Sequence, residues 1–331
     1  MTDRKPNALG ISLVSPTSPA QLVDAYRLIE RSGFDELWVH EDYFYHGGFS
    51  AAALALQATS RIPVGIGIVS TAARHPVATA MEIATLAGAH PGRLTVGIGH
   101  GATSCMRQIG VHPQSPLSAL AEVLRSIRRL LAGETLTESG LFRFDGVRLA
   151  HPPGEGQVPL YAGVVGPKSL ALSGELADGT VLSVMSGPKY IEHARRLTRE
   201  AAARAGRSGA HPLPTIAFCA IGADGRQARR LAGDTLAAMM GAFGPDLLTD
   251  VYGISEELSE LLAARGGALA ASDLPESWLD WFMVAGDPDR CSERVRELHR
   301  AGATSVVLAL IDTSDIHASI ELIAREVLPQ V

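Results

Sequence analysis

The sequence predicts an α/β fold, a (β/α)8 TIM barrel, on three observations. Short apolar segments that read as strands end in glycine, a charge or a histidine, as in Glu36-Leu37-Trp38-Val39-His40-Glu41-Asp42 and Leu94-Thr95-Val96-Gly97-Ile98-Gly99-His100. Stretches at helical spacing separate them, and strands alternating with helices mean parallel βα units. The chain of 331 residues is 46% hydrophobic, enough for one large core, and barrels of this kind commonly exceed about 250 residues as one domain. Residues 1–331 are therefore read as a single barrel domain.

The first strand is expected at Ala8 to Val14. Ser18 then caps a helix, Pro19 suits its first position, Gln21 completes an S-x-x-Q capping box, and Gly33 suits the stop. Strand two falls at Glu36 to Val39 and strand three at Pro63 to Val69. Pro76 opens a helix carrying Val77, Ala80, Met81, Ala84 and Ala87, strand four is Leu94 to Ile98, and a helix runs from Pro116 to Leu131. Thr135–Thr137 and Leu141–Phe144, joined through Ser139-Gly140, read as a small hairpin outside the barrel.

After a Pro/Gly-rich connector from His151 to Gln157, strand five is Leu160 to Val164 and a helix begins at Pro167. Strand six is Thr180 to Ser183, a long helix covers Lys189 to Ala205, and strand seven is Thr215 to Ile221. Gln227 to Asp280 is too long for one crossover and reads as a helical excursion broken at Gly244-Pro245 and Gly266-Gly267. Asp287-Pro288 caps a helix stopped by Gly302, and Ser305 to Leu310 is strand eight. The hairpin thus follows strand four, and the helical insertion lies between strands seven and eight.

Net charge is −6 with a pI near 6.0. Without Lys/Arg clusters, that balance argues against nucleic acid as the main partner. Cys105, Cys219 and Cys291 stand apart, as thiols in a reducing compartment do. The start, Met1 to Asn7, is polar and lacks the apolar core of a signal peptide, and no apolar run approaches the ~20 residues that span a bilayer. A cytoplasmic protein acting on a small molecule is expected, with a second copy of itself as partner. The 11 histidines are scattered without metal-ligand spacing, so no metal is expected.

In a parallel barrel the loops after the strands build the active site. His40-Glu41-Asp42 concentrates ionisable groups at the end of strand two. A partly desolvated carboxylate there can transfer a proton near neutrality; equally, such a loop can cap the next helix. Gly99-His100-Gly101 ends strand four, where paired glycines let backbone approach a bound ring or phosphate. Gly166-Pro167-Lys168-Ser169 and Ser186-Gly187-Pro188-Lys189 follow strands five and six, and each opens a helix whose free N–H groups suit an anion. No G-x-S-x-G elbow or Walker sequence occurs.

From Gly10 to about Leu310 the chain resembles the bacterial luciferase-like flavin and deazaflavin oxidoreductases. The likeness is carried by Arg74-His75-Pro76, Gly92-Arg93-Leu94-Thr95-Val96-Gly97-Ile98-Gly99, Val158-Pro159-Leu160-Tyr161, Gly166-Pro167-Lys168 with Ala177-Asp178-Gly179, and Val284-Ala285-Gly286-Asp287-Pro288. Within that family it is most similar to the branch with methylenetetrahydromethanopterin reductase and deazaflavin-dependent glucose-6-phosphate dehydrogenase. The resemblance implies a flavin-like ring at the C-terminal strand ends, backed by a non-proline cis peptide at Gly67–Ile68. It implies cofactor contacts from His40, Gly67, Ile68, Gly99, Gly101, Val165, Gly166, Pro167, Lys168, Ser183, Ser186 and Gly187. The sugar dehydrogenases end strand two in Asp-His and carry an acid in the strand-four loop; here Glu41-Asp42 and Ala102 stand there.

The expected activity is a reductase that takes hydride from reduced coenzyme F420 and delivers it to a C=C or C=N bond. Glu41, Asp42 and His100 are the candidates for proton transfer or substrate positioning. An FMN-dependent monooxygenase fed by a partner reductase is the alternative. A non-catalytic flavin-binding barrel is the third reading.

Overall fold

The computed structural model describes residues 5–14 and 17–331; the polar start Met1–Arg4 lies outside them. Nine parallel strands form one sheet: β1 (Ala8–Leu13), β2 (Glu36–Val39), β3 (Val64–Ser70), β4 (Leu94–Gly99), β7 (Leu160–Gly163), β8 (Gly179–Val181), β9 (Pro214–Ile221), β10 (Val284–Gly286) and β11 (Ser305–Leu310). β5 (Leu136–Ser139) and β6 (Arg143–Val147) make the separate antiparallel hairpin. Leu182, just past β8, closes the ring onto β9: its N–H donates to Pro214 O at 2.9 Å, and its carbonyl accepts from Ile216 N–H at 3.0 Å. The barrel is therefore β1-β2-β3-β4-β7-β8-β9-β11. β10, the strand absent from the sequence expectation, pairs with the upper end of β9 through Cys219 to Ile221.

The helices expected from sequence form where capping and periodicity place them. α1 (Pro19–Arg31) begins with half of its capping box: Gln21 Oε1 accepts from Ser18 N–H at 3.3 Å, while the Ser18 hydroxyl turns to the same oxygen. α2 (Gly48–Ala58) and the short α4 (Thr103–Gln108) were not expected. α3 (Pro76–Ala89), α5 (Pro116–Leu131), α6 (Pro167–Leu176) and α7 (Pro188–Arg204) each have Pro at the first helical position, where its missing N–H costs nothing. The excursion folds as α8 (Gly225–Phe243), α9 (Leu247–Asp250), α10 (Ser255–Ala264) and α11 (Glu276–Phe282). α12 (Pro288–Ala301) and α13 (Ile316–Leu322) complete the helical layer. No helix among the described residues is long and apolar enough to cross a membrane.

Strand alternation sorts side chains to the two sides of the wall. Ile11, Leu37, Ile66, Val96 and Leu308 pack outward against the helices, while Trp38, Tyr161, Val181, Ile216, Val307 and Ala309 fill the barrel interior. Gly65 makes room for the Trp38 ring, because a Cβ there would overlap it. The indole is 1% exposed, and its Nε1 donates to Glu36 Oε2 at 2.8 Å, an oxygen that also accepts from Ser305 Oγ at 3.0 Å. Two conspicuous charges prove structural. Arg93 caps the end of α2, bonding Leu56 O at 3.3 Å and Thr59 O at 3.0 Å. Glu30 gathers the N–H groups of Ser60, Arg61 and Ile62, which hold its carboxyl down at about 2 against the opposing effect of burial.

Candidate active site

The C-terminal strand ends open onto an apolar floor. Val14, Ile68, Val184 and Phe218 lie half-buried over the interior cluster. The Gly67–Ile68 peptide is cis. Ile68 reaches across the mouth toward β4 and β7: a Cβ at Gly97 would sit 2.7 Å from Ile68 Cγ2, one at Gly99 2.8 Å from Ile68 Cδ1, and one at Gly163 would overlap Ile68 Cγ2. The glycines of β4 thus leave room for a side chain of the protein itself. Gly101, at φ +72°, meets the separate demand of a left-handed turn. His40, on the same side of β2 as Trp38, bonds Gly67 O through Nδ1 at 2.8 Å. A carbonyl only accepts, so Nδ1 is the donor in this bond.

Glu41 and Asp42 share a loop but not an environment. The Glu41 side chain is 4% exposed, and Arg74 grips both its oxygens, Nη1 to Oε1 at 2.7 Å and Nη2 to Oε2 at 2.6 Å. Tyr43 Oη at 3.2 Å and the N–H groups of Gly48 at 3.2 Å and Ser70 at 3.4 Å complete its shell. The carboxylate ties the β2 loop, the start of α2 and the end of β3 together. In return it raises the Arg74 guanidinium above its ordinary value, and burial with the nearby charge pushes Tyr43 up to about 12. Asp42 is exposed at a turn where its carbonyl accepts from Tyr45 N–H at 2.7 Å. Phe44 and Tyr45 follow it, both exposed on the rim.

His100 ends β4 half-buried. Its Nε2 lies 3.5 Å from Ser169 Oγ at the start of α6, and its Nδ1 is buried without a partner among the described residues. Burial, then the nearby His112, lowers its pKa below the ordinary histidine value, so the ring is neutral near pH 7. A buried ring nitrogen without a partner is costly unless a water or a ligand atom meets it.

The two Pro-Lys turns are alike in sequence and different in space. At the first, Gly166 is the N-cap of α6, Pro167 and Lys168 are exposed, and no side chain caps the helix start. Val165 O beside it accepts from Tyr190 Oη at 2.7 Å. At the second, Ser186 N–H donates to Ser183 O, Gly187 N–H to Met185 O, and Lys189 N–H to Tyr252 Oη. Gly187 is buried against Tyr252 and Trp281, and the Ser186 hydroxyl is buried without a partner among the described residues. Ser183, half-buried, turns its hydroxyl to Val184 O at 3.3 Å.

Arg74, Ser169, Tyr252 and Trp281 join this mouth in contacts the sequence does not predict; Arg74 had a signal in its charge beside His75-Pro76, and Ser169 in the turn after strand five. His75 is the N-cap of α3 and packs edge-on against Phe142 and Phe144 of the hairpin, at 5.3 and 5.2 Å. No group of three His, Cys, Asp or Glu among the described residues is arranged to hold a metal.

Known proteins resemble this chain in sequence and fold. The profile of the luciferase-like monooxygenases matches residues 6–305. A 5,10-methylenetetrahydromethanopterin reductase of Archaeoglobus fulgidus is 30% identical over 97% of this chain and 99% of its own. An F420-dependent glucose-6-phosphate dehydrogenase of Beutenbergia cavernae is 26% identical over 95% of this chain and 94% of its own. The structure of the coenzyme F420-dependent tetrahydromethanopterin reductase of Methanopyrus kandleri superposes with a TM-score of 0.84, at 28% identity, over 97% of this chain and 98% of that one. The chain therefore belongs to the luciferase-like family of flavin- and F420-dependent oxidoreductases.

Proposed function

We propose that this protein is an F420-dependent reductase that delivers hydride to a C=C or C=N bond of a small molecule. The carrying observation is the apolar floor around Ile68, bounded on one side by the open helix start at Gly166–Ser169, which His100 approaches through Ser169 Oγ. A flat ring fits the floor, its phosphate fits the free N–H groups of α6 with Lys168 beside them, and the partnerless Nδ1 of His100 supplies the polar contact at its edge. Full-length similarity to a relative named as a methylenetetrahydromethanopterin reductase favours F420 over FMN.

Bound and reduced, the deazaflavin supplies the hydride. Val14, Ile68, Val184 and Phe218 exclude water from one face of the ring. His40 fixes the Gly67 carbonyl, and Glu41 with Arg74 fixes the loop carrying the rim aromatics. His100 holds or moves the proton at Nδ1. The buried pairing of Glu41 with Arg74 supports a positioning role for it.

Titrating purified protein with F420 and with FMN, followed by fluorescence, tests the cofactor. Oxidation of reduced F420 by imines and activated alkenes then tests the reaction. Tight FMN binding without F420 affinity would overturn the reading in favour of the monooxygenase.

We further propose a homodimer through α2 and α3. α2 carries no charged residue and α3 only Glu82, and Leu54 and Met81 on them are 42% and 56% exposed. An apolar face with one carboxylate, Glu82, meets a second copy of itself with little like-charge repulsion. Leu54→Glu with Met81→Glu should shift the sedimentation coefficient from dimer to monomer; a monomeric wild type would refute the interface.

A further inference from the structure

The helical excursion reaches the barrel mouth at the start of α7. Tyr252, 8% exposed, stacks on Trp281 with ring centroids 4.9 Å apart and 27° between planes. Its hydroxyl accepts from Lys189 N–H at 3.3 Å, and a Cβ on Gly187 would collide with that hydroxyl and with Trp281 O. The Lys189 ammonium lies over both rings, at 5.2 and 5.8 Å.

α11, which carries Trp281, is itself anchored. Arg229 bonds Asp280 and Glu276, each at 2.7 Å, Arg290 bonds Asp280 at 2.7 Å, and Arg294 donates to Trp281 O. The turn pressed by this platform needs holding. Met185 stands at φ +65°, a conformation that a side-chain-bearing residue keeps only where its surroundings enforce it. Val184, one residue earlier, is part of the floor.

We propose that Tyr252 and Trp281 are positioning residues: they lock the Ser183–Gly187 turn so that Val184 completes the apolar floor. This rests on the reading of that floor as the ring site. The excursion then governs affinity for the ring and leaves the phosphate contact to α6.

Tyr252→Phe removes only the hydroxyl, and Trp281→Leu removes the stacking partner. Amide hydrogen exchange on ligand-free protein should quicken about threefold to tenfold across residues 183–190 in Tyr252→Phe, the range set by one hydrogen bond. α8 and α10 should exchange as in the wild type. F420, together with FMN and phosphate-free riboflavin wherever the wild type binds them, should then lose affinity by the same factor. Unchanged exchange overturns the lock, as does quickening spread over the whole excursion. Quickened exchange with wild-type affinity for every ligand the wild type binds overturns its coupling to the ring. A wild type that binds neither riboflavin, FMN nor F420 defeats the functional reading and that coupling. Exchange alone still decides whether the turn is held.

Discussion

Arg74 closes both ends of its guanidinium fork on Glu41, at 2.7 and 2.6 Å, across 33 residues of sequence. Its Cζ also lies over the Phe49 ring at 5.5 Å. The fork matches a carboxylate bidentately, which a lysine could not do. Glu41→Gln would remove the bidentate partner of Arg74 and leave Glu82, 3.6 Å from its Nε, as the remaining counter-charge. The expected cost is on the order of 2 kcal/mol of stability, since the closest and most buried partner of the guanidinium is lost. Melting temperature and turnover measured together check it. A variant that loses turnover at wild-type melting temperature would return Glu41 to direct proton transfer.

Ile68 and the glycines around it form a second coupled set. Gly163→Ala should push Ile68 out of the floor, costing about 1–3 kcal/mol of stability through overpacking and weakening ring binding. The same substitution on an Ile68→Ala background should cost far less, because the colliding methyl is gone. Equal costs on both backgrounds, by denaturant melts, would show that Gly163 is needed for some other reason.

Lys168→Glu places a negative charge at the open start of α6, where a phosphate would sit. It should weaken FMN and F420 by at least about tenfold while leaving riboflavin unchanged, since only the first two carry a phosphate. Lys189→Glu, at the closed turn, should affect phosphate-bearing and phosphate-free ligands alike. The reverse pattern in fluorescence titrations would move the phosphate site to α7.

The contrast between those turns marks how far sequence reading reaches. Gly166-Pro167-Lys168 and Gly187-Pro188-Lys189 are the same local signal, and each does open a helix. What separates them is Tyr252, 63 residues from Lys189, and Trp281 beyond it. No local rule links such positions. The pairing of Glu41 with Arg74 is hidden for the same reason. α5 was legible to the residue because Pro116, its apolar stripe and the break after Leu131 all act within one helix. β10 was not, being three residues between two helices whose pairing comes entirely from β9.

A proton held at His100 would give the proposed reaction a pH signature. Burial and the neighbouring His112 lower its pKa, so its charged form is present only below the ordinary histidine value near 6.5. If reduction draws a proton from His100, the rate should rise as pH falls through a midpoint below 6.5 and should decline above it. The reverse oxidation, which needs the neutral ring as acceptor, should be level from the midpoint upward and fall only in acid. His100→Asn removes the titration while keeping a polar group at the site. It should lower turnover by at least about tenfold and flatten both limbs, with cofactor affinity within about twofold of wild type. Profiles of kcat for both directions on the two proteins decide the matter. An acid limb that survives in His100→Asn would assign the proton to another group on the mouth.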